Sequence, residues 1–263
     1  MSQRTFFPKV ALDMFVMQMV WSLFFLGIIL TIHIGMIIVS VNTGDSMVDF
    51  LFFTHGSAKI YMLVIGIIST YGFLRHYAHH GITRKDYFTG SAIAAAGVAL
   101  AIGVIAIALT GMEYVVMEMA DIQGTLDRSL AGDAIQVGNN SISIEFPKAI
   151  FESSVLIQSS SWIVSLFMYS LNILTYYAAG WLIGSGFYRF GWFIGLGFIL
   201  LSLLFIITGD LLWGTELGEP LSNWLPFDLI SLPLYGSFLG TIIIIGIMLW
   251  LIRLATRNAT IKM

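Results

Sequence analysis

The chain has 263 residues, 58% of them hydrophobic and only 10% charged, with a mean hydropathy of +0.90; that composition belongs to an integral membrane protein and excludes an ordinary soluble domain. A net charge of −3 argues against nucleic acid as a partner. With no cysteine in the chain, a disulfide framework, a thiolate metal site, an iron–sulfur cluster and a cysteine nucleophile are all excluded.

Arg4 and Lys9 precede a long apolar run, as in a secretory signal. The run is too long and has no small-x-small cleavage site, so it reads as a retained first span. A bilayer core takes roughly 20 apolar residues per helix, and six segments qualify, at about 15–41, 58–75, 90–111, 160–184, 190–209 and 234–253. These runs lack the alternation of a β-barrel, and lipid leaves a chain no other way to satisfy its backbone. The expected fold is an all-α membrane protein, one transmembrane domain over residues 1–263.

Nine of the Lys and Arg residues fall on the side of the termini, from Arg4 and Lys9 through Arg75, Arg84, Lys85 and Arg189 to Arg253, Arg257 and Lys262. Lys59, Arg128 and Lys148 fall on the other. By the positive-inside rule both termini are expected to be cytoplasmic. The acidic residues other than Asp13 and Asp86 then lie outside.

The connections carry their own signals. In SMVDFLFF, Ser46 and Asp49 have capping-box spacing before an aromatic run, which predicts a short interfacial helix. The extracellular insertion at about 112–159 contains Gly138-Asn139-Asn140-Ser141 followed by alternating Ile142, Ile144 and Phe146, which predicts a β-hairpin. Pro147 then suits the first turn of a short helix. Between the fifth and sixth spans, the tryptophans and prolines of 210–233 predict broken structure at the membrane surface. Gly180 and Gly184, and likewise Gly191 and Gly195, have GxxxG spacing, which predicts close helix packing within the chain.

His76, His79 and His80 would share one face of a helix continuing past the second span. A zinc-protease motif would need Glu where Tyr77 stands, so a solvated helix end is the expectation and no metal site is assigned. His33 lies within the first span, where a charge costs roughly 3 kcal/mol. A neutral, hydrogen-bonded imidazole is expected there, and with no second mid-span histidine no bis-histidine haem. Asn172 is expected to serve as interhelical glue. With no Asp or Glu read inside a span, the chain is not expected to energise transport itself. It also lacks a phosphate-binding loop and the G-x-S-G and G-x-G-D protease motifs, so no catalytic residue is assigned.

After the second span, Gly81 can end one helix, and Thr83 and Asp86 have the T-x-x-D spacing that starts the next. Arg84 and Lys85 face water while Tyr87 and Phe88 reach the interface. Six spans around a compact basic helix-turn-helix resemble the type-2 ABC exporter permeases of bacteria. The stretch Gly81-Ile82-Thr83-Arg84-Lys85-Asp86-Tyr87-Phe88 is similar to the G-x-[ST]-[RK]-[RK]-x-x-F pattern of many members. The resemblance implies a coupling loop of Gly81, Thr83, Arg84, Lys85, Asp86 and Phe88 that docks on a separate ATPase subunit. Gly81 would break the helix, Thr83 cap the next, Arg84 and Lys85 contact the ATPase, and Phe88 anchor the loop. It further implies a second permease copy or sister permease, ATP and magnesium bound only by the partner, no cofactor in this chain, and a place in the bacterial cell membrane. RTFFPKVALDMF would be an interfacial elbow and 210–233 a pair of outer half-helices. A different expectation, independent of the family, is a non-transporting sensor or immunity protein whose acidic outer segment captures a cationic peptide.

Overall fold

The computed structural model describes residues 6–44, 46–120, 161–213 and 233–257. Among them the regular structure is helical, and six helices are long and apolar enough to cross a membrane. These are α1 (Phe7–Thr43), α2 (Phe50–His79), α3 (Arg84–Met119), α4 (Trp162–Phe190), α5 (Trp192–Leu212) and α6 (Leu234–Arg257). The hairpin expected at 138–146, the helix after Pro147 and residues 214–232 lie outside the described residues.

Two helices reach further than hydropathy alone suggests. The expected interfacial helix in SMVDFLFF is instead the start of α2: Asp49 is its N-cap, the carboxylate accepting from Phe52 N at 3.0 Å. Thr54 and Ser57 lower the local hydropathy and so resemble a loop. Their hydroxyls donate back to the carbonyls of Phe50 and Thr54 at 2.9 and 3.0 Å, which satisfies them within the helix. Lys59 therefore sits nine residues, about 14 Å, inside α2 rather than on its flank. Likewise α3 runs on to Met119 and carries Glu113 within it, so the insertion begins later than 112. At the N-terminus α1 starts at Phe7 with Pro8 in its first turn and continues unbroken to Thr43, in place of the expected elbow.

The central helix is α4, which packs against α2, α3, α5 and α6, while α1 lies outside against α3. Small residues permit this. A Cβ at Gly180 would strike the Leu63 carbonyl of α2, one at Gly66 the Tyr177 carbonyl, and one at Gly184 would come within 2.9 Å of Ile67 O. Gly180 and Gly184 are thus the near-backbone crossing of α4 with α2, as their spacing predicts. Gly191 and Gly195 are a different case. Gly191 (φ +82°) is the left-handed turn joining α4 to α5, and Gly195 makes room for Phe187.

The bundle has two chemically distinct ends. At one, Phe7 lies beside Gly90, Arg84 reaches Arg257, and Arg189 reaches Leu254. The start of α1, the α2–α3 and α4–α5 turns and the end of α6 therefore share this basic end. At the other, acidic end, Tyr114 approaches Asp49 and Trp162, and Ser237 bonds to Leu212 O.

Candidate functional site

The α2–α3 turn forms as its residues dictate. Gly81 adopts φ +76°, a left-handed conformation that glycine takes without strain. Thr83 is the N-cap of α3: its Oγ1 accepts from Asp86 N at 3.1 Å and donates to Asp86 Oδ2 at 2.9 Å. Phe88 packs on the Trp181 ring of α4, centroids 5.4 Å apart, with the Arg253 guanidinium of α6 lying 5.4 Å from its own centroid.

The basic pair is divided in its orientation. Lys85 is exposed. Arg84 instead turns along the bundle end, its Nη1 donating to Arg257 O at 2.8 Å, while Arg253 Nη1 donates back to Arg84 O at 3.2 Å. Arg189 of α4 donates to Leu254 O and Ala255 O at 2.6 and 3.1 Å. Guanidinium groups from α3 and α4 thus cap the carbonyl end of α6, where the helix dipole favours cations.

The histidines before the turn form the end of α2. His76 and His79 are exposed in its last turn, and His80 lies with Nδ1 2.8 Å from His76 O. Among the described residues no three His, Asp or Glu side chains converge as metal ligands.

Just inside this turn, residues Ser69–Leu74 of α2 form a π-helical segment, a geometry that often marks functional positions. A polar network surrounds it. The Tyr177 hydroxyl of α4 lies 2.5 Å from Ser69 Oγ and accepts from Gln18 Nε2 of α1 at 3.1 Å. The Tyr87 hydroxyl of α3 donates to the Ser69 carbonyl. Ser22 donates to Gln18 O at 2.8 Å and contacts Tyr61 Oη at 3.0 Å. Four helices therefore meet through hydrogen bonds at the point where α2 departs from regular winding.

Toward the acidic end, Lys59 Nζ lies 3.2 Å from Asp210 Oδ1 of α5, and Tyr176 of α4 donates to Asp210 Oδ2 at 2.8 Å. The lysine is fully buried and sits 5.2 Å from the centre of the Tyr176 ring. Nearby in the same half, His33 Nε2 of α1 is 2.8 Å from Glu113 Oε1 of α3, whose other oxygen accepts from Phe50 N of α2 at 2.9 Å. His33 is buried and hydrogen-bonded, as its position in the span implies.

Two sequence-based expectations need correction here. Lys59 lies nine residues into α2 rather than at the edge of a span beginning at 58. Asp210 and Glu113, read as lying past span ends at 209 and 111, both sit inside helices, largely buried. The cause is averaging, since a single charge next to Leu211, Leu212 and Trp213, or next to Ile60 and Met62, barely moves a hydropathy window. A readable signal existed in the N-cap Asp49, which starts α2 early enough to carry Lys59 inward. Asn172, expected as glue, is buried on α4, yet its Nδ2 has no hydrogen-bond partner among the described residues. Gln18, Tyr176 and Tyr177, central to the buried networks, carry no motif that singles them out.

Compared with protein-family models, with curated proteins and with solved structures, the chain has no match.

Proposed function

We propose that the chain is the permease subunit of an ABC exporter, moving a peptide, lipid or drug by alternating access under the drive of a separate ATPase. In this reading the basic end faces the cytoplasm of a bacterial cell, a second permease copy or sister permease completes the pathway, and ATP and magnesium are bound by the partner.

The observation that carries it is the attachment of the Gly81–Phe88 turn to the rest of the bundle. Phe88 sits between Trp181 of α4 and Arg253 of α6, and Arg84 and Arg253 tie the turn to the end of α6. Force applied to such a turn reaches the central helix directly, which is what a coupling element requires. The capped and closed turn resists being absorbed locally as loop motion. At the far end the Lys59–Asp210 bridge holds α2 to α5, across the region that must open on the outer side. Because a lysine already occupies the Asp210 carboxylate, the buried acid does not stand ready for a coupling ion.

The geometry sharpens which residues would meet the ATPase. Arg84 is engaged within the bundle, so Lys85, with the exposed Gly81 and Thr83, presents the contact surface. The test is co-expression with ATPases encoded beside the gene, followed by affinity purification. An ATPase should co-purify with the native chain and be lost on Lys85→Glu; a native chain that brings down no ATPase defeats the proposal.

A further inference from the structure

We propose that the arginines at the basic end of α4 and α6 bind the phosphate of an anionic phospholipid. The site adjoins the Gly81–Phe88 turn through Arg84 and Phe88, but the lipid contact does not rest on the ATPase reading.

Arg189 ends α4, Arg253 and Arg257 lie in the last turns of α6, and Arg84 comes from the first turn of α3. Among the described residues no carboxylate pairs with Arg84, Arg189 or Arg253, the ion pairs found being those of His33 and Lys59. Asp86, the acid closest in sequence, is held by Thr83. The end of α6 supplies roughly half a negative charge, far short of neutralising four guanidinium groups. This end of the bundle is therefore net positive and attracts anions.

The guanidinium groups are also pre-set for phosphate. Nη1 of Arg189 and of Arg253 is used inward on backbone carbonyls, and each guanidinium carries five N–H donors in a fixed fork. Aromatic rings hold the planes, Phe190 at 4.8 Å from Arg189 and Phe88 at 5.4 Å from Arg253. Planar guanidinium forks with N–H groups to spare match phosphate oxygens bidentately.

The surroundings select a lipid over an acidic protein. Next to Arg189, Phe190, Trp192 and Phe193 are 41%, 72% and 76% exposed, and aromatic residues of this kind belong at the headgroup level. Leu196 and Leu200, one and two turns further along α5, continue the exposed apolar strip from Trp192. A phosphate on the arginines places acyl chains along that strip. An acidic protein approaching from water would meet the charges and leave the strip empty.

The test uses the full chain alone in mild detergent, delipidated, and reads thermal unfolding and native mass spectrometry after adding phosphatidylglycerol, phosphatidylcholine, inorganic phosphate or a polyglutamate peptide. Phosphatidylglycerol should be retained and raise the unfolding temperature, and phosphatidylcholine should do neither. Arg189→Gln and Arg253→Gln should each weaken phosphatidylglycerol binding about fivefold, while Arg75→Gln, exposed at the end of α2, should not. Equal effects of the two lipids on the native chain, or an equal loss in Arg75→Gln, overturn the proposal. So does a shift of the same size from inorganic phosphate or from polyglutamate, which would make this a free-anion or a protein-facing surface.

Discussion

Lys59 and Asp210, 151 positions apart in the chain, meet at 3.2 Å with Tyr176 completing the carboxylate's hydrogen bonds. The pair closes a link between α2 and α5 through a fully buried ammonium group. Burying two charges is costly, but removing one costs more, because the other stays behind unpaired. Lys59→Met and Asp210→Asn are each expected to destabilise the protein by about 3–5 kcal/mol. The double variant should lose clearly less than the sum. Thermal unfolding of the four proteins in one detergent measures the coupling, and strict additivity would mean that the contact contributes nothing.

The crossing of α2 and α4 tolerates no side chain at its centre. Gly180→Ala pushes a methyl group into the backbone of α2 at Leu63, with no flexible neighbour to yield. A loss of about 1–3 kcal/mol is expected. Gly197→Ala, on α5 with open space around it, should be neutral or slightly stabilising. Comparable unfolding temperatures for the two variants would contradict this packing.

The six spans were legible because each is a long apolar run whose period and length leave no alternative in lipid. The α2–α3 turn was legible too, since Gly81, Thr83 and Asp86 carry local chemistry that acts wherever they occur. What escaped was everything that depends on partners distant in sequence. Nothing near Lys59 announces Asp210, and nothing in Arg84 announces that its N–H groups turn to Arg257 O rather than to water. The π-helical segment Ser69–Leu74 has no local signature either. It exists beside polar side chains from three other helices, the Tyr87 and Tyr177 hydroxyls and the Gln18 amide.

That segment yields a third expectation. Tyr177→Phe removes the hydroxyl shared by Ser69 and Gln18, leaving the buried Gln18 Nε2 without a partner and Ser69 Oγ with only its bond to the Ile65 carbonyl. A cost of about 1–3 kcal/mol follows from such a desolvated group. Hydrogen exchange should rise in residues 65–75 before the remainder of α2 is affected. Exchange that rises evenly along α2 would show that the network does not hold the π-helical winding.

At the turn, Thr83→Ala removes the N-cap of α3 and should cost about 1 kcal/mol, with faster exchange confined to the first turn of α3. Thr83→Ser keeps the oxygen and should restore protection. Failure of serine to do so would assign the threonine's effect to its methyl group instead.

The length of α1 has a consequence beyond packing. Its 37 residues extend about 55 Å, against a hydrocarbon core of about 30 Å. Even leaning by about 40°, near the limit for membrane helices, it would still span about 42 Å. Its neighbour α3, at 36 residues, is nearly as long. Both helices therefore extend past the hydrocarbon core, and bilayer thickness would bear on how far this pair leans. Since α3 begins at the Gly81–Thr83 turn, the choice of lipid chain length would set the attitude of the very element through which a partner would push.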